Sequence, residues 1–287
     1  MSVTVKTVLD LALKKRRGEK ITMLTAHDAA FGALVEQAGV DLVLVGDSLG
    51  MVALGYDSTV PVTMDEMLHH AKAVRRGVKE TLLIGDMPFL SYQSGERDAI
   101  VNSGRFLKEA GCAAVKMEGG SEIAPIVAAV VRSGIPVMGH IGLTPQTAGQ
   151  LGGFKVQGRD AESAAKLEHD ARALAAAGAC ALVLECVPAL LAQRISADLA
   201  IPTIGIGGGP YCDGQVLVTH DLLGLFTDFT PKFAKHYAAL AGEAGRALAA
   251  FRREVTAGDF PAAEHSFGPL EGKLEPPPKG ERPKDVR

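Results

Sequence analysis

The sequence predicts a closed (β/α)8 barrel, and three observations carry the prediction. Eight short apolar runs recur along the chain, amphipathic stretches separate them, and 287 residues suit a single barrel of about 250 with additions at its ends. The runs are ITMLTAHD (21–28), DLVLVGDS (41–48), TLLIGDMP (81–88), AAVKMEGG (113–120), IPVMGHIG (135–142), CALVLECV (180–187), IPTIGIGG (201–208) and DLLGLFTD (221–228). Each is nearly continuous in apolar residues, which suits parallel strands covered on both faces. An open, doubly wound sheet would have fewer strands and a phosphate-binding glycine turn after the first, where this chain has His27-Asp28.

In chain order, residues 4–17 read as an extra helix ahead of the first strand, placed to cover the bottom of the barrel. Residues 29–39 form a helix that stops at Gly39, a common C-terminal signal. A long connection over 50–62 follows the second strand. Thr63, with Glu66 three residues on, has the pattern of a capping box and opens the next helix. Residues 121–134 and 160–178 also read as helices closed by glycine, and 144–159 is a second long connection. Long barrel loops serve as flaps or partner surfaces. An Ala-rich helix is expected over 231–256. From residue 271 apolar periodicity stops and Pro276-Pro277-Pro278 appears, so a single catalytic domain over 1–270 is followed by a flexible tail over 271–287.

Composition narrows the function. Thirty basic against thirty-three acidic residues lack the basic excess of a nucleic-acid binder. The absence of Trp and the few aromatics argue against stacking on single strands. No run approaches the ~18 apolar residues of a membrane span. The N-terminus has its charges after a short apolar patch, the wrong order for a signal peptide. Cys112, Cys180, Cys186 and Cys212 form no CxxC pair and read as reduced thiols. A cytoplasmic protein acting on small molecules is expected.

The chemistry should sit where barrel strands end. The polar residues there are Asp28, Asp47, Ser48, Asp86, Lys116, Glu118, His140 and Glu185. Taken singly, each has a structural explanation: Asp47 could cap a helix, Asp86 turn the chain before Pro88, and Glu118 open a loop. As a set on one rim, the carboxylates would repel and raise each other's pKa, a conflict that a divalent cation removes. The donors are hard oxygens, so Mg²⁺ is the expected ion. Asp47 and Asp86 on neighbouring strands would ligate directly, and Glu118 directly or through water. Lys116 shares a strand face with Glu118 and would neutralise a substrate carboxylate. Glu185, among apolar neighbours, is expected to have a raised pKa suited to a general base, or to pair structurally with His140. His140 is an orienter or a proton carrier. The GIGGGP run at 205–210 fails the dinucleotide spacing and reads as a turn where a ligand or an anion approaches the backbone.

Several longer runs carry a family resemblance: TAHDAAFGALVEQAGVDLVLVGDSLGMVALGYDSTVPVT, IGDMPFLSY, GCAAVKMEGG, VMGHIGLTPQ, LVLECVP, IPTIGIGGGPYCDGQVLVTHDLLG and FPAAEHSF. Together they resemble the ketopantoate hydroxymethyltransferase family from about Leu9 to Phe267, and LVGDSLG, DMPF and VKMEGG are specific in combination. The resemblance implies a barrel related to the phosphoenolpyruvate mutase and isocitrate lyase group. It implies transfer of a hydroxymethyl group from 5,10-methylenetetrahydrofolate to 3-methyl-2-oxobutanoate, through a metal-stabilised enolate, giving 2-dehydropantoate for pantothenate and coenzyme A synthesis. It implies Asp47, Asp86 and Glu118 as ligands of one divalent ion. Asp47, Ser48, Asp86 and Lys116 would contact the keto acid, and Glu185 would accept the proton. A large homo-oligomer, a decamer, is also implied. The sequence departs from the pattern at His27, Gly208 and Pro210, which touches loop shape. The competing readings are a carbon–carbon lyase or mutase on the same barrel, and an inactive barrel serving as a binding protein.

Overall fold

The computed structural model describes residue 5 and residues 7–268, so the expected tail over 271–287 lies outside the described residues. Backbone contacts divide the chain between Ala238 and Ala239. The first unit holds eight strands: β1 Ile21–Thr25, β2 Leu42–Val45, β3 Leu82–Asp86, β4 Ala114–Glu118, β5 Val137–Gly142, β6 Ala181–Glu185, β7 Thr203–Ile206 and β8 Gly214–Leu217. Each pairs in parallel with the next, and β8 returns to β1, which closes the barrel. Its helices are α1 Val8–Arg16, α2 Ala29–Gln37, α3 Leu49–Val52, α4 Met64–Gly77, α5 Glu96–Ala110, α6 Ala124–Arg132, α7 Ala161–Ala176, α8 Ala189–Asp198 and the single turn α9 Thr219–Leu222. The second unit holds α10 Leu240–Ala257, none of whose residues is buried. No described helix is long and apolar enough to cross a membrane.

Local rules explain most boundaries. Thr63 accepts from the Glu66 N–H and the Glu66 carboxylate reaches back to Thr63, the expected capping box. Asp28 caps α2 by accepting from the Phe31 N–H, so this strand-end carboxylate has a structural role. The expected N-terminal helix forms as α1. Its Leu11 joins the apolar cluster inside the barrel, and Lys14 and Lys15 pair with Asp41 and Asp213 just before β2 and β8. The helix therefore covers the end of the barrel opposite the strand C-termini.

Two expectations over 221–256 fail. The eighth strand is Gly214–Leu217 rather than 221–228. Only Val216 and Leu217 are apolar there, too little for a sequence signal, yet pairing to both β1 and β7 closes the sheet. The run at 221–228 instead begins inside α9. The long helix starts at Leu240 rather than at 231. Phe233 packs against the barrel's apolar interior cluster, so the segment before α10 follows the barrel rather than a helical repeat.

Strand alternation builds the interior. Ile21, Met23, Leu42, Leu44, Leu82, Ile84, Ala114, Met138, Ala181, Val183, Ile204 and Val216 form one inward cluster. The positions two residues further along β3 to β6 are Asp86, Lys116, His140 and Glu185, with Glu118 two beyond Lys116. The same periodicity that fills the lower barrel with hydrocarbon thus delivers a charged layer to its upper end.

Candidate active site

A cavity of about 630 Å³ opens over this charged layer. Asp47, Ser48, Asp86, Lys116, Glu118, His140 and Glu185 all line it, so every strand-end residue singled out from the sequence except Asp28 reaches one space. The long connections contribute as expected: Met51, Val52 and Thr59 from the first, and Pro145 with Phe154, Lys155 and Val156 from the second.

Asp47, Asp86 and Glu118 are buried, each offering an oxygen within 4.8 Å of the others'. Lys116 lies among them, with Nζ 2.7 Å from Asp86 Oδ1 and 3.1 Å from Glu118 Oε1. Burial opposes the Lys116 charge, but Asp86, Glu118 and Asp47 outweigh it and hold the ammonium well above its ordinary pKa. For Asp47, burial comes first and Asp86 and Glu118 add to it, so its carboxyl is pushed well above the usual range. Burial also raises Asp86, although Lys116 opposes the shift. Glu118 goes the other way: burial would raise it, but Lys116, His140 and the Gln146 N–H hold it below the usual range. Asp47 and Asp86 are therefore the acids whose charged forms lack sufficient counter-charge, the deficit that a cation would fill.

His140 stands between two carboxylates, with Nδ1 3.3 Å from Glu118 Oε1 and Nε2 3.2 Å from Glu185 Oε2. Burial and Lys116 pull its pKa down, but Glu118 and Glu185 override them and bring it to about 9. The pairing of Glu185 with His140, one of the two expected arrangements, is thus present. Glu185 remains the most open of these acids, with its side chain 14 % exposed at the cavity edge. Gly142 sets its place. A side chain there would meet the Glu185 carbonyl, whose oxygen accepts from the Leu143 N–H, and Gly142 has φ +97°. Cys186, the next residue, has φ 49°, an uncommon conformation for a non-glycine residue.

Two partners went unseen in the sequence. Gln146, buried on the loop after β5, donates Nε2 to Asp47 Oδ2 at 2.9 Å and to the Met87 carbonyl at 2.8 Å. Its backbone N–H donates to Glu118 Oε2 at 3.1 Å. Fully buried Tyr92 donates its hydroxyl to Gln146 Oε1 at 3.0 Å and accepts from the Glu118 N–H. One residue thereby fixes an oxygen of each of two acids, Asp47 by its side-chain amide and Glu118 by its backbone N–H. Both residues sit on loops, where strand periodicity gives no signal, although Gln146 ends the VMGHIGLTPQ run.

Elsewhere the bland readings stand. His27 is buried beside His220, with ring centroids 5.2 Å apart, and burial with the His220 and His70 charges lowers it to about 3. Neither ring lines the cavity. Burial pushes Cys186 and Cys180 to about 12, and all four cysteines are free thiols. The glycine turn after β7, expected to let a ligand or an anion approach the backbone, puts Gly207 and Gly209 on the cavity wall. It also makes room for the chain itself, since a side chain on Gly207 would come within 2.8 Å of Phe233.

A family model for ketopantoate hydroxymethyltransferase matches residues 5–263. The chain is 60% identical over 262 residues to the 3-methyl-2-oxobutanoate hydroxymethyltransferase of Desulfotalea psychrophila, covering 91% of this chain and 94% of that one. It is also 60% identical over 261 residues to the enzyme of that name from Moorella thermoacetica, covering 91% and 97%. Among solved structures, the phosphoenolpyruvate phosphomutase of Streptomyces platensis matches with a TM-score of 0.60 at 17% identity, covering 92% of each chain. A 2,3-dimethylmalate lyase of the PEP mutase/isocitrate lyase superfamily matches at 0.58 and 17%, again over 92% of each. These last two likenesses concern the fold.

Proposed function

The chain belongs to the ketopantoate hydroxymethyltransferase family and is an enzyme of that kind, and from this premise we propose how its cavity carries out the transfer. The substrates are 3-methyl-2-oxobutanoate and 5,10-methylenetetrahydrofolate, and the product is 2-dehydropantoate. The carrying observation is the charge imbalance at Asp47 and Asp86, which share a buried space with Glu118 and are incompletely offset by Lys116. An all-oxygen donor set of this kind fits one Mg²⁺, with Asp47 and Asp86 as direct ligands. Glu118, already engaged by Lys116, His140 and the Gln146 N–H, suits ligation through water. When bound, the ion supplies Lewis acidity toward the keto-acid oxygens.

The chain's own residues do the rest. Lys116 has three N–H donors and uses two on Asp86 and Glu118, which leaves one for the substrate carboxylate. The Ser48 hydroxyl at the same wall donates to the keto acid. Met23, Leu44, Val183 and Val216 give the branched methyl groups an apolar floor. Glu185 takes the proton from C3, and the electron pair left behind forms the enolate. His140 holds the Glu185 carboxylate in line and stabilises its charge beforehand. The folate delivers the one-carbon unit as an iminium. Water adds to its carbon and the carbon–N5 bond breaks, N5 keeping the proton as tetrahydrofolate leaves. The enolate carbon attacks the freed formaldehyde, whose oxygen takes a proton and becomes the new hydroxyl.

This reading places the enzyme in the cytoplasm and in a homo-oligomer, a decamer by the resemblance. Exposed Leu248, Phe251 and Val255, three and four residues apart on α10, support assembly. The test of the chemistry is exchange: with Mg²⁺ and 3-methyl-2-oxobutanoate in D₂O, the C3 hydrogen should exchange without folate. No exchange by the metal-loaded enzyme would overturn the enolate route.

A further inference from the structure

The VTHDLLG run brings one more carboxylate to the cavity, outside the group at the ends of β2 to β6. Asp221 on α9 lines the cavity, is 7 % exposed, and receives no hydrogen bond to its carboxylate among the described residues. Its position is fixed, because Thr219 two residues earlier donates both its N–H and its hydroxyl to Thr25 at the end of β1. It follows β8, which lies four strands from β4 in either direction around the closed barrel. The surroundings change there too. Phe226, Phe229 and Phe233 line this part of the wall, Lys232 is exposed beside them in the chain, and exposed Lys155 lines the same cavity from the connection after β5. The keto acid is small for a cavity in the range of about 300–1,000 Å³ that takes drug-sized ligands, so room remains for a second, flat ligand.

We propose that Asp221 anchors the pteridine of the folate co-substrate, between the phenylalanines and below the two lysines. The inference rests on the hydroxymethyl-transfer reading and adds its second binding site. The pyrimidine edge of a pteridine presents N3–H and the 2-amino group side by side, a donor pair that one carboxylate accepts with two hydrogen bonds. The ring faces stack on aromatic side chains. The glutamate tail carries carboxylates, which the lysine ammoniums attract.

Two assays separate this site from the reading beneath it. Folate-free C3 exchange reports the keto-acid half alone, and its absence in the wild type would sink the reading itself. Asp221→Asn keeps the shape but replaces an acceptor oxygen by a donor. It should raise the KM for 5,10-methylenetetrahydrofolate by about 10- to 100-fold. Folate-free exchange should stay within about twofold, and Asp221→Glu should recover part of the loss. Phe229→Ala with Lys232→Gln changes only exposed side chains, so folding is not at issue. It should raise the folate KM too, more for a polyglutamylated folate than for the monoglutamate. An unchanged folate KM in Asp221→Asn or in the rim pair overturns the proposal. So does an equal fall of exchange and transfer in Asp221→Asn, which marks a structural role.

Discussion

The two arcs of the barrel mouth are made of different materials. From β2 to β6 the mouth is charged: Asp47, Asp86, Lys116, Glu118, His140 and Glu185, most of them paired with one another. From β7 onward it is glycine, aromatic rings, Asp221 and the exposed Lys232. On the first arc all of these side chains but Asp47, which lies two residues beyond β2, stand on strands, so backbone hydrogen bonds set their spacing. Asp86 lies beside Lys116, and Glu118 beside His140, as register partners. On the second arc they stand on loops and one helical turn. A buried charged group needs fixed counter-charges to stay ionised, and strands supply fixed positions. A ligand that arrives and leaves needs open acceptors and ring faces, which loops can present.

The largest expected effect falls on the first arc. Asp86→Asn removes a charge from the pair that faces the cation and weakens the partner of Lys116. Metal affinity, followed by calorimetry with Mg²⁺, should collapse, and turnover should fall by on the order of 10³-fold. Chelator treatment of the wild type should do the same and reverse with Mg²⁺. Full turnover by enzyme verified as metal-free would break the division between the arcs, because the charge imbalance would then have another purpose.

Glu185→Gln comes next. It keeps the shape and one acceptor for His140 but removes the basic carboxylate. Binding of the keto acid should persist while C3 exchange drops by about 10²-fold or more. Exchange at the wild-type rate would move the base to another group, with His140 the first candidate. Gln146→Ala sharpens the same arc from behind. It frees an oxygen on Asp47 and opens the clasp to Tyr92, so metal affinity should fall by about 10- to 100-fold without loss of the fold. Unchanged Mg²⁺ binding in that variant would show that the strands alone hold the acids.

The contrast also explains what the sequence could tell. The first arc was legible because alternation on buried strands carries inward positions straight to the rim. Lys116 and Glu118 on one face needed only the period of two. Gln146 and Tyr92 were not, since a loop residue's target depends on where the chain turns. Asp221 was lost for a sharper reason. The run it opens is as apolar as a strand, and the true β8 is four residues with two apolar side chains. Reading 221–228 as a strand put Asp221 at its start, the wrong end of a barrel strand for chemistry. The family resemblance supplied the substrates, which no spacing of residues specifies.

The smallest expected effect is a difference in sign between the arcs on acidification. Glu118 is buried against Lys116, His140 and the Gln146 N–H, and its folded pKa lies below the unfolded value. Its stabilising contribution is present above the unfolded carboxylate pKa of about 4 and is lost as pH falls through the lowered folded value. Asp221 is buried with only the His236 charge opposing, and burial raises it to about 6. There the folded state binds the proton more tightly than the unfolded chain does. That contribution is full below a pH of about 4 and is lost as pH rises through about 6. Asp221→Asn copies the neutral form at every pH. The variant should therefore gain in Tm relative to the wild type between pH 4.5 and 7.5, by a few degrees at most. Glu118→Gln should lose relative to the wild type over the same interval. If the Asp221→Asn difference is flat with pH, Asp221 is solvated like a surface acid, and the two arcs differ in composition but not in the cost of charge.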